Sequence, residues 1–408
     1  TGEKAGSGRA GPGTAQGSGA GAVGLRQDGW VRADAIDLFE LDPGLTHLNH
    51  GAFGAVPRRV REAQDRARAR VEAAPMRAFR DELPAQIAAV REQVSDFLAV
   101  LPDSTALVRN VSEGVAVVLQ ALAIGRGDEV VVSNHGYPTA AMAVRARGAG
   151  TREAAFGRDA SEADVVAAFT GALSPDTRLV IIDQITSPTA LVLPVRLVAA
   201  AVAPIPVLVD AAHVPGALPG VGIAGLGAAY WVGNLHKWAF APRSAAALWA
   251  APGHRDQLRP LVTSWSHHEP YPGNFDLQGT VDHSAWLAVP EGLAFWRAIG
   301  GWDQVQRNAD LLRRGADHVR SALGTGDELG GLRTAPCLTT VPLPAGVAVA
   351  PAGAEALWQQ LYAAGFVVPP VSFEGGGLVR LAAQVYNDED DFTLLAEALP
   401  ALMRSARS

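Results

Sequence analysis

Lysine is almost missing from this sequence: of 34 basic residues only Lys4 and Lys237 are lysine, and the other 32 are arginine. In a chain so biased toward alanine, glycine and arginine, a lysine kept inside an apolar segment calls for a chemical reason. Cysteine is rarer still. The lone Cys337 excludes an internal disulfide and a thiol cluster for zinc or iron–sulfur, and fits a reducing cytoplasm. No uninterrupted apolar run of about 20 residues exists, because the most apolar stretch, Leu197 to Val209, is cut by Pro204 and Pro206 and then meets Asp210. A membrane helix is therefore not expected. Basic excess is also lacking: a net charge of -7 and a pI near 5.8 offer no general attraction to nucleic acid or anionic membranes. What remains, 48% hydrophobic against 18% charged residues, is the balance of a compact enzyme.

At 408 residues the chain is expected to form one large domain and one smaller one. Residues 1–30 are rich in Gly, Ala and Ser without apolar periodicity and read as a flexible leader, not a signal peptide, since no apolar segment follows the basic residues. An N-terminal segment over 31–56, a large α/β domain over 57–290 and a small α+β domain over 291–408 follow. Helices are signalled from Pro57 and over Ala85 to Leu98. Short apolar runs at Glu129 to Ser133, Arg178 to Gln184, Pro206 to Asp210, Ala229 to Gly233 and Ala245 to Ala250 read as strands covered on both faces, hence as a mostly parallel sheet. A helical pair, Ala285 to Ala298 and Trp302 to Leu323, leads to small-domain strands near Leu338 to Val341 and Leu378 to Leu381.

Two strand ends carry chemistry. Asp210 closes Pro206 to Val209, and ligands of open α/β sheets collect at the carboxyl ends of strands; the lesser alternative, taken alone, is a helix or turn cap. Lys237 follows the apolar run from Tyr230, where desolvation frees the neutral amine to attack an aldehyde. A snorkelling surface lysine is the ordinary alternative, but this is the only lysine in the folded body. A carboxylate and an amine in one crevice suit pyridoxal chemistry: the acid keeps a pyridine nitrogen protonated while the lysine binds the aldehyde and shuttles a proton. The start of a helix at Asn110-Val-Ser112-Glu113-Gly114 offers free N–H groups and a dipole to a phosphate, or is simply an N-cap. Gly220-Val-Gly222-Ile-Ala-Gly225 matches a dinucleotide fingerprint in letters only, since no strand precedes it. Adjacent His267 and His268 lack further ligands, so no metal site is expected.

In combination these residues resemble the class V aminotransferase group of fold-type I pyridoxal-phosphate (PLP) enzymes, and most of all its isopenicillin N epimerase-like branch. The resemblance runs from about Leu48 to Asn387 through Leu48-Asn-His-Gly-Ala-Phe-Gly54, Arg109-Asn-Val-Ser-Glu-Gly114, Asn134-His-Gly-Tyr137, Thr186-Ser-Pro-Thr189, Asp210-Ala-Ala-His213, Gly233-Asn-Leu-His-Lys237, Gly279-Thr280 and Val379-Arg-Leu381. It implies a fold-type I transferase fold: a mostly parallel seven-stranded sheet sandwiched by helices, plus the smaller C-terminal domain. It implies that Lys237 carries PLP as a Schiff base, that Asp210 contacts the ring nitrogen, that His213 and Ser187 lie near the ring and its hydroxyl, and that Tyr137 stacks on the ring face. Ser112, Glu113 through its backbone, and His236 would hold the phosphate, with Thr280 reaching it from a second subunit of a homodimer with shared sites. Arg380 would bind the substrate α-carboxylate, as a planar fork suits two oxygens. Asn49, His50 and His283 stand as further substrate-side candidates.

The resemblance has one informative gap. Cysteine desulfurases of this group carry a nucleophilic cysteine on a loop shortly before the position of Arg380, and Gly365 to Gly377 contains none. Reactions that begin with removal of the Cα proton of an amino acid remain: epimerisation, for which His50, Tyr137 or His283 could be the second acid; β-elimination, such as C–S cleavage of a conjugate; or transamination. The branch points to epimerase or β-lyase work. A non-catalytic binding module on the same fold would have lost Lys, Asp or Arg, and all three are kept.

Overall fold

The computed structural model of the chain describes residues 35–326 and 331–405; the leader expected over 1–30 lies outside them. The large sheet has seven strands, β1 (Thr105–Val108), β2 (Glu129–Ser133), β3 (Gly150–Ala154), β4 (Thr177–Asp183), β5 (Val207–Asp210), β6 (Tyr230–Asn234) and β7 (Ala246–Ala250). Their spatial order is β1-β7-β6-β5-β4-β2-β3. Only β7 runs against its neighbours, β6 and β1.

Alternate residues of each central strand feed different cores, which is why these strands read as unbroken apolar runs. Val180, Ile182, Val207, Val209 and Trp231 join one cluster, while Leu179, Ile181, Leu208, Tyr230 and Val232 join the other. The helices α1 (Arg58–Ala73), α2 (Leu83–Leu98), α3 (Val111–Ala121), α4 (Pro138–Ala146), α5 (Glu162–Gly171), α6 (Val195–Ala201) and α7 (Val289–Ala298) supply the covering layers. Val115 and Val144 of α3 and α4 pack on one face; Ile87, Phe169, Val198 and Leu293 of α2, α5, α6 and α7 pack on the other.

The remainder comprises α8 (Gly301–Leu323), β8 (Leu338–Pro342), α9 (Pro351–Ala363), β9 (Pro370–Phe373), β10 (Gly376–Ala382) and α10 (Glu389–Ser405). Here β10 sits between β8 and β9 in an antiparallel sheet. Leu312, Ala316 and Val319 of α8 belong to this third core, whereas Val305 of α8 and Leu293 of α7 belong to the large one. The two cores therefore meet along α8, somewhat after the boundary expected at 290. The segment before α1 joins both: Thr46 and His47 pair with Phe366 and Val367, and Leu48 is buried in the third core.

Three strands go unread in the sequence and one expected helix needs correcting. β1 is short, β3 is a polar edge strand and β9 is only half-buried, so none showed a clear apolar run. The helix expected without a break over Ala285 to Ala298 is divided at Ala288, because Pro290 disfavours helical geometry before it and starts α7 instead.

Gly54 ties the N-terminal segment to the loop that carries Lys237. It has a φ of 70°, and a Cβ there would lie 2.1 Å from the His236 carbonyl oxygen. Gly54→Ala is expected to cost about 3 kcal/mol through strain and overlap together. Gly220, with a φ of 67° and nothing within 4 Å, is the control and should cost about 1 kcal/mol for the backbone alone. Thermal unfolding midpoints check the order; equal midpoints would show that the close approach is not needed.

Candidate active site

β4 ends in Asp183 and β5 in Asp210, directly opposite one another, and Asp210 also faces Val232 of β6. After β6 the chain turns through His236 and Lys237. Three strand ends thus open into one cavity of about 490 Å³, lined by Asp183, Asp210, His213, His236, Lys237, Ser112, Tyr137, Ser187 and Arg380. It lies at the carboxyl edge of the sheet, where helix N-termini and strand ends leave polar groups converging.

Lys237 Nζ lies 3.1 Å from His213 Nε2. Burial and then the nearby Arg380 charge bring its pKa down to about 7, partly opposed by Asp210 and Asp183. A substantial share of the amine is then unprotonated near neutral pH, where an ordinary lysine is almost wholly charged. His213 is held neutral, well below the usual imidazole range, first by burial and then by Lys237, and its Nδ1 has no partner. His236 is lowered to about 4 by burial and the adjacent Lys237, so it too is a neutral group, with Nδ1 3.2 Å from the Ala245 carbonyl oxygen.

Asp210 accepts the Ala212 N–H at 3.0 Å. Burial raises the pKa of both Asp210 and Asp183, and Asp183 is pushed well above the carboxylate range because the Asp210 charge adds to its burial. The two facing acids therefore favour one shared negative charge between them. Asp183 also accepts the Tyr137 N–H at 3.2 Å and so fixes the start of α4, where Tyr137 stands half exposed.

At the start of α3 the amides are partly spoken for. Asn110 caps the helix by accepting the Glu113 N–H at 2.9 Å, and Asn234 Oδ1 accepts the Val111 N–H at 3.1 Å. Glu113 therefore does not offer its amide to the cavity as expected; its carboxylate turns back to Arg109. Ser112 lines the cavity beside Asn110 and Asn234.

Arg380 emerges from the centre of the small sheet, buried, with its pKa lowered to about 10 by that burial. It donates to the Ser187 carbonyl at 2.7 Å, to Ser187 Oγ at 3.0 Å and to Asn49 Oδ1 at 2.9 Å, while its Nε has no partner. Asn49 and Ser187 thus orient the arginine. Two other expectations are corrected. His50 is fully engaged: Nε2 donates to the Lys237 carbonyl at 2.9 Å and Nδ1 accepts from Tyr386 Oη at 2.9 Å, which makes it a strut behind the lysine loop. His283 sits with Thr280 in a separate cavity of about 510 Å³, packed against Phe79 and Trp286, so one chain does not bring either residue to Lys237.

The arrangement fits PLP on its own terms. It offers an aldehyde-reactive amine, a buried carboxylate for a ring nitrogen, a histidine with an orphaned nitrogen, an aromatic wall and a helix start for a phosphate. Asn110 and Asn234, present in the sequence motifs without a role of their own, also line this cavity, as do Asp183 and Arg243, to which the sequence assigns no role. Cys337 is buried and its thiol is pushed up to about 12 by burial, so it is no nucleophile. Among the described residues no cluster of three or more His, Cys, Asp or Glu side chains could hold a metal, and no helix is long and apolar enough to cross a membrane.

Fold and site together are those of a fold-type I PLP-dependent enzyme. The chain is 30% identical over 396 residues to the isopenicillin N epimerase of Streptomyces clavuligerus, covering 89% of this chain and 96% of that one. It belongs to the isopenicillin N epimerase-like branch of the class V aminotransferase group. The family model for aminotransferase class I and II matches residues 44–232. An L-cysteine desulfhydrase of Arabidopsis thaliana is 28% identical, with 88% of each chain covered. A cystine C–S lyase solved with its product cysteine persulfide superposes with a TM-score of 0.73 at 21% identity, over 88% of this chain and 97% of that one.

Proposed function

We propose that this enzyme removes the Cα proton of an amino acid or amino-acid conjugate and that its main reaction is β-elimination of the C–S lyase type, with epimerisation as the second reading. The observation that carries it is the lone amine of Lys237, near-neutral in pKa, set between a buried carboxylate and the guanidinium of Arg380. When bound, PLP supplies an electron sink for the charge left at Cα. Lys237 takes up and returns the proton at Nζ. Asp210, whose pairing with Asp183 favours one negative charge between them, would keep the facing ring nitrogen protonated. Tyr137 would wall the ring, and Ser112 and His236 would hold the phosphate, with Thr280 contributed from a second copy in a homodimer. Arg380 would hold the substrate α-carboxylate and so orient Cα toward Lys237.

Elimination needs one base on one face. Inversion needs a second acid on the other, and of the three residues considered from the sequence only Tyr137 remains free within one chain. Transamination asks for nothing further from the protein, and the relatives named as epimerase and desulfhydrase argue for the first two. The buried thiol of Cys337 argues against desulfurase work. The separating experiment incubates candidate amino acids and cysteine conjugates with holoenzyme in heavy water. Pyruvate and ammonia mark elimination, Cα deuterium with inversion marks epimerisation, and a keto acid with aminated cofactor marks transamination. No Cα exchange with any of them would end the proposal.

Arg380→Gln should raise KM for the amino acid about 30-fold or more, since a charge-assisted contact of about 2 kcal/mol is lost, and should lower kcat less. An unchanged KM would move the carboxylate elsewhere.

A further inference from the structure

His135 is wholly buried and lies outside the Lys237 cavity, just past β2 and two positions before Tyr137. Its ring is stacked on Phe156, with centroids 4.3 Å apart, and is tilted against Phe373 of β9 at 4.4 Å. Both ring nitrogens are engaged: Nε2 lies 2.8 Å from the Phe156 carbonyl oxygen and Nδ1 2.7 Å from Thr189 Oγ1. A carbonyl oxygen only accepts, so Nε2 carries the proton, and Nδ1 of the neutral ring accepts from the Thr189 hydroxyl. Burial keeps the ring neutral, with its pKa lowered to about 4. The order of donors beyond it then follows. Having given its proton to His135, Thr189 Oγ1 accepts at 2.8 Å from Thr186 Oγ1, which itself accepts the Leu191 N–H at 2.8 Å. This relay closes the turn from Thr186 to Leu191, whose Ala190 has a left-handed φ of 59°, a conformation that strains an alanine and needs support.

Ser187 stands on this turn and accepts from Arg380 Nη1 through both its carbonyl oxygen, at 2.7 Å, and its Oγ, at 3.0 Å. The carbonyl oxygen of Thr189 accepts from Thr340 Oγ1 at 3.5 Å, and Thr340 is the β8 residue paired directly with Arg380. Beside His135, Asn134 donates to Glu374 Oε1 at 3.0 Å, where β9 turns into β10. We infer that His135 is a positioning residue for Arg380: by accepting the Thr189 hydroxyl it holds the turn from Thr186 to Leu191, and through Ser187 it aims the guanidinium fork at the substrate α-carboxylate. Such a role rests on the α-carboxylate reading of Arg380 and deepens it. A leucine would fill the space between Phe156 and Phe373 with no polar atom to satisfy, so what the histidine adds there is direction.

The test titrates holoenzyme with S-methyl-α-methylcysteine, which has no Cα hydrogen to lose, and with the primary amine left when its carboxylate is removed. The wild type should favour the amino acid about 30-fold in Kd, through the charge-assisted contact to Arg380. His135→Leu and Thr189→Val should each cut that preference about fivefold, the scale of one hydrogen bond, with the Kd of the amine and the visible absorbance of the cofactor unchanged. The double variant should fall no further than either alone, because both substitutions break the same bond. His135→Asn, which keeps an acceptor near the place of Nδ1, should stay within about twofold of the wild type. Equal weakening of both ligands would make His135 a packing residue and overturn the role. So would additive losses in the double variant, or loss of cofactor absorbance. A wild type that binds acid and amine alike sinks the reading of Arg380 and the role of His135 with it, whereas a preference untouched in every variant sinks the role of His135 alone.

Discussion

Lys237→Ala is expected to abolish turnover, by roughly 10⁴-fold or more, together with the visible absorbance of covalently held cofactor, while leaving the fold intact. The amine is nucleophile and proton carrier in one, and no second lysine stands in the described chain to replace it. Its cost to folding gives an independent check. The folded chain holds this amine at a pKa of about 7 against an ordinary value of 10.5, so between those values the unfolded chain binds the extra proton. Stability of the apoprotein therefore rises with pH across that window, relative to Lys237→Met, which carries no proton to lose. Urea midpoints of the two apoproteins at pH 7 and pH 9.5 measure it: the wild type should gain on the variant at the higher pH. If the gap stays constant, the amine is not desolvated and its reactivity at neutral pH is unexplained.

The residues that reveal themselves in the sequence do so through context. Lys237 stands out because lysine is otherwise nearly absent, and Asp210 because an acid ends an apolar run. Asp183 has the same signature, an acid after Leu179 to Ile182, but the run was read as continuing to Gln184, which placed the acid inside a strand. His50 looked like a catalytic acid because its partners, Tyr386 and the Lys237 carbonyl, lie 336 and 187 positions away and only the fold brings them in. Arg243 was invisible for the opposite reason to Lys237, being one arginine among 32. The sheet was legible wherever strands are buried on both faces and illegible at its edge β3, whose Thr151, Arg152 and Glu153 carry no apolar signal. Thr280 and His283 mark another limit, since motif spacing alone does not say that one chain gathers them in a cavity apart from Lys237.

Asp210→Asn should separate cofactor capture from catalysis. Lys237 is untouched, so the variant still attaches PLP and still absorbs in the visible, but an amide cannot hold a proton on the facing ring nitrogen. Cα exchange in heavy water should fall about 10³-fold, the scale of a lost electrostatic partner in a water-poor site. Asp183→Asn is the discriminating control. Burial and the Asp210 charge both favour the protonated form of Asp183, and an asparagine is close to isosteric with that form, with Oδ1 still accepting the Tyr137 N–H. Its loss should stay under about tenfold. The order of the two effects tests the division of charge within the pair: if Asp183→Asn proves the more damaging, the negative charge sits on Asp183, and the ring nitrogen must be sought against β4 instead of β5.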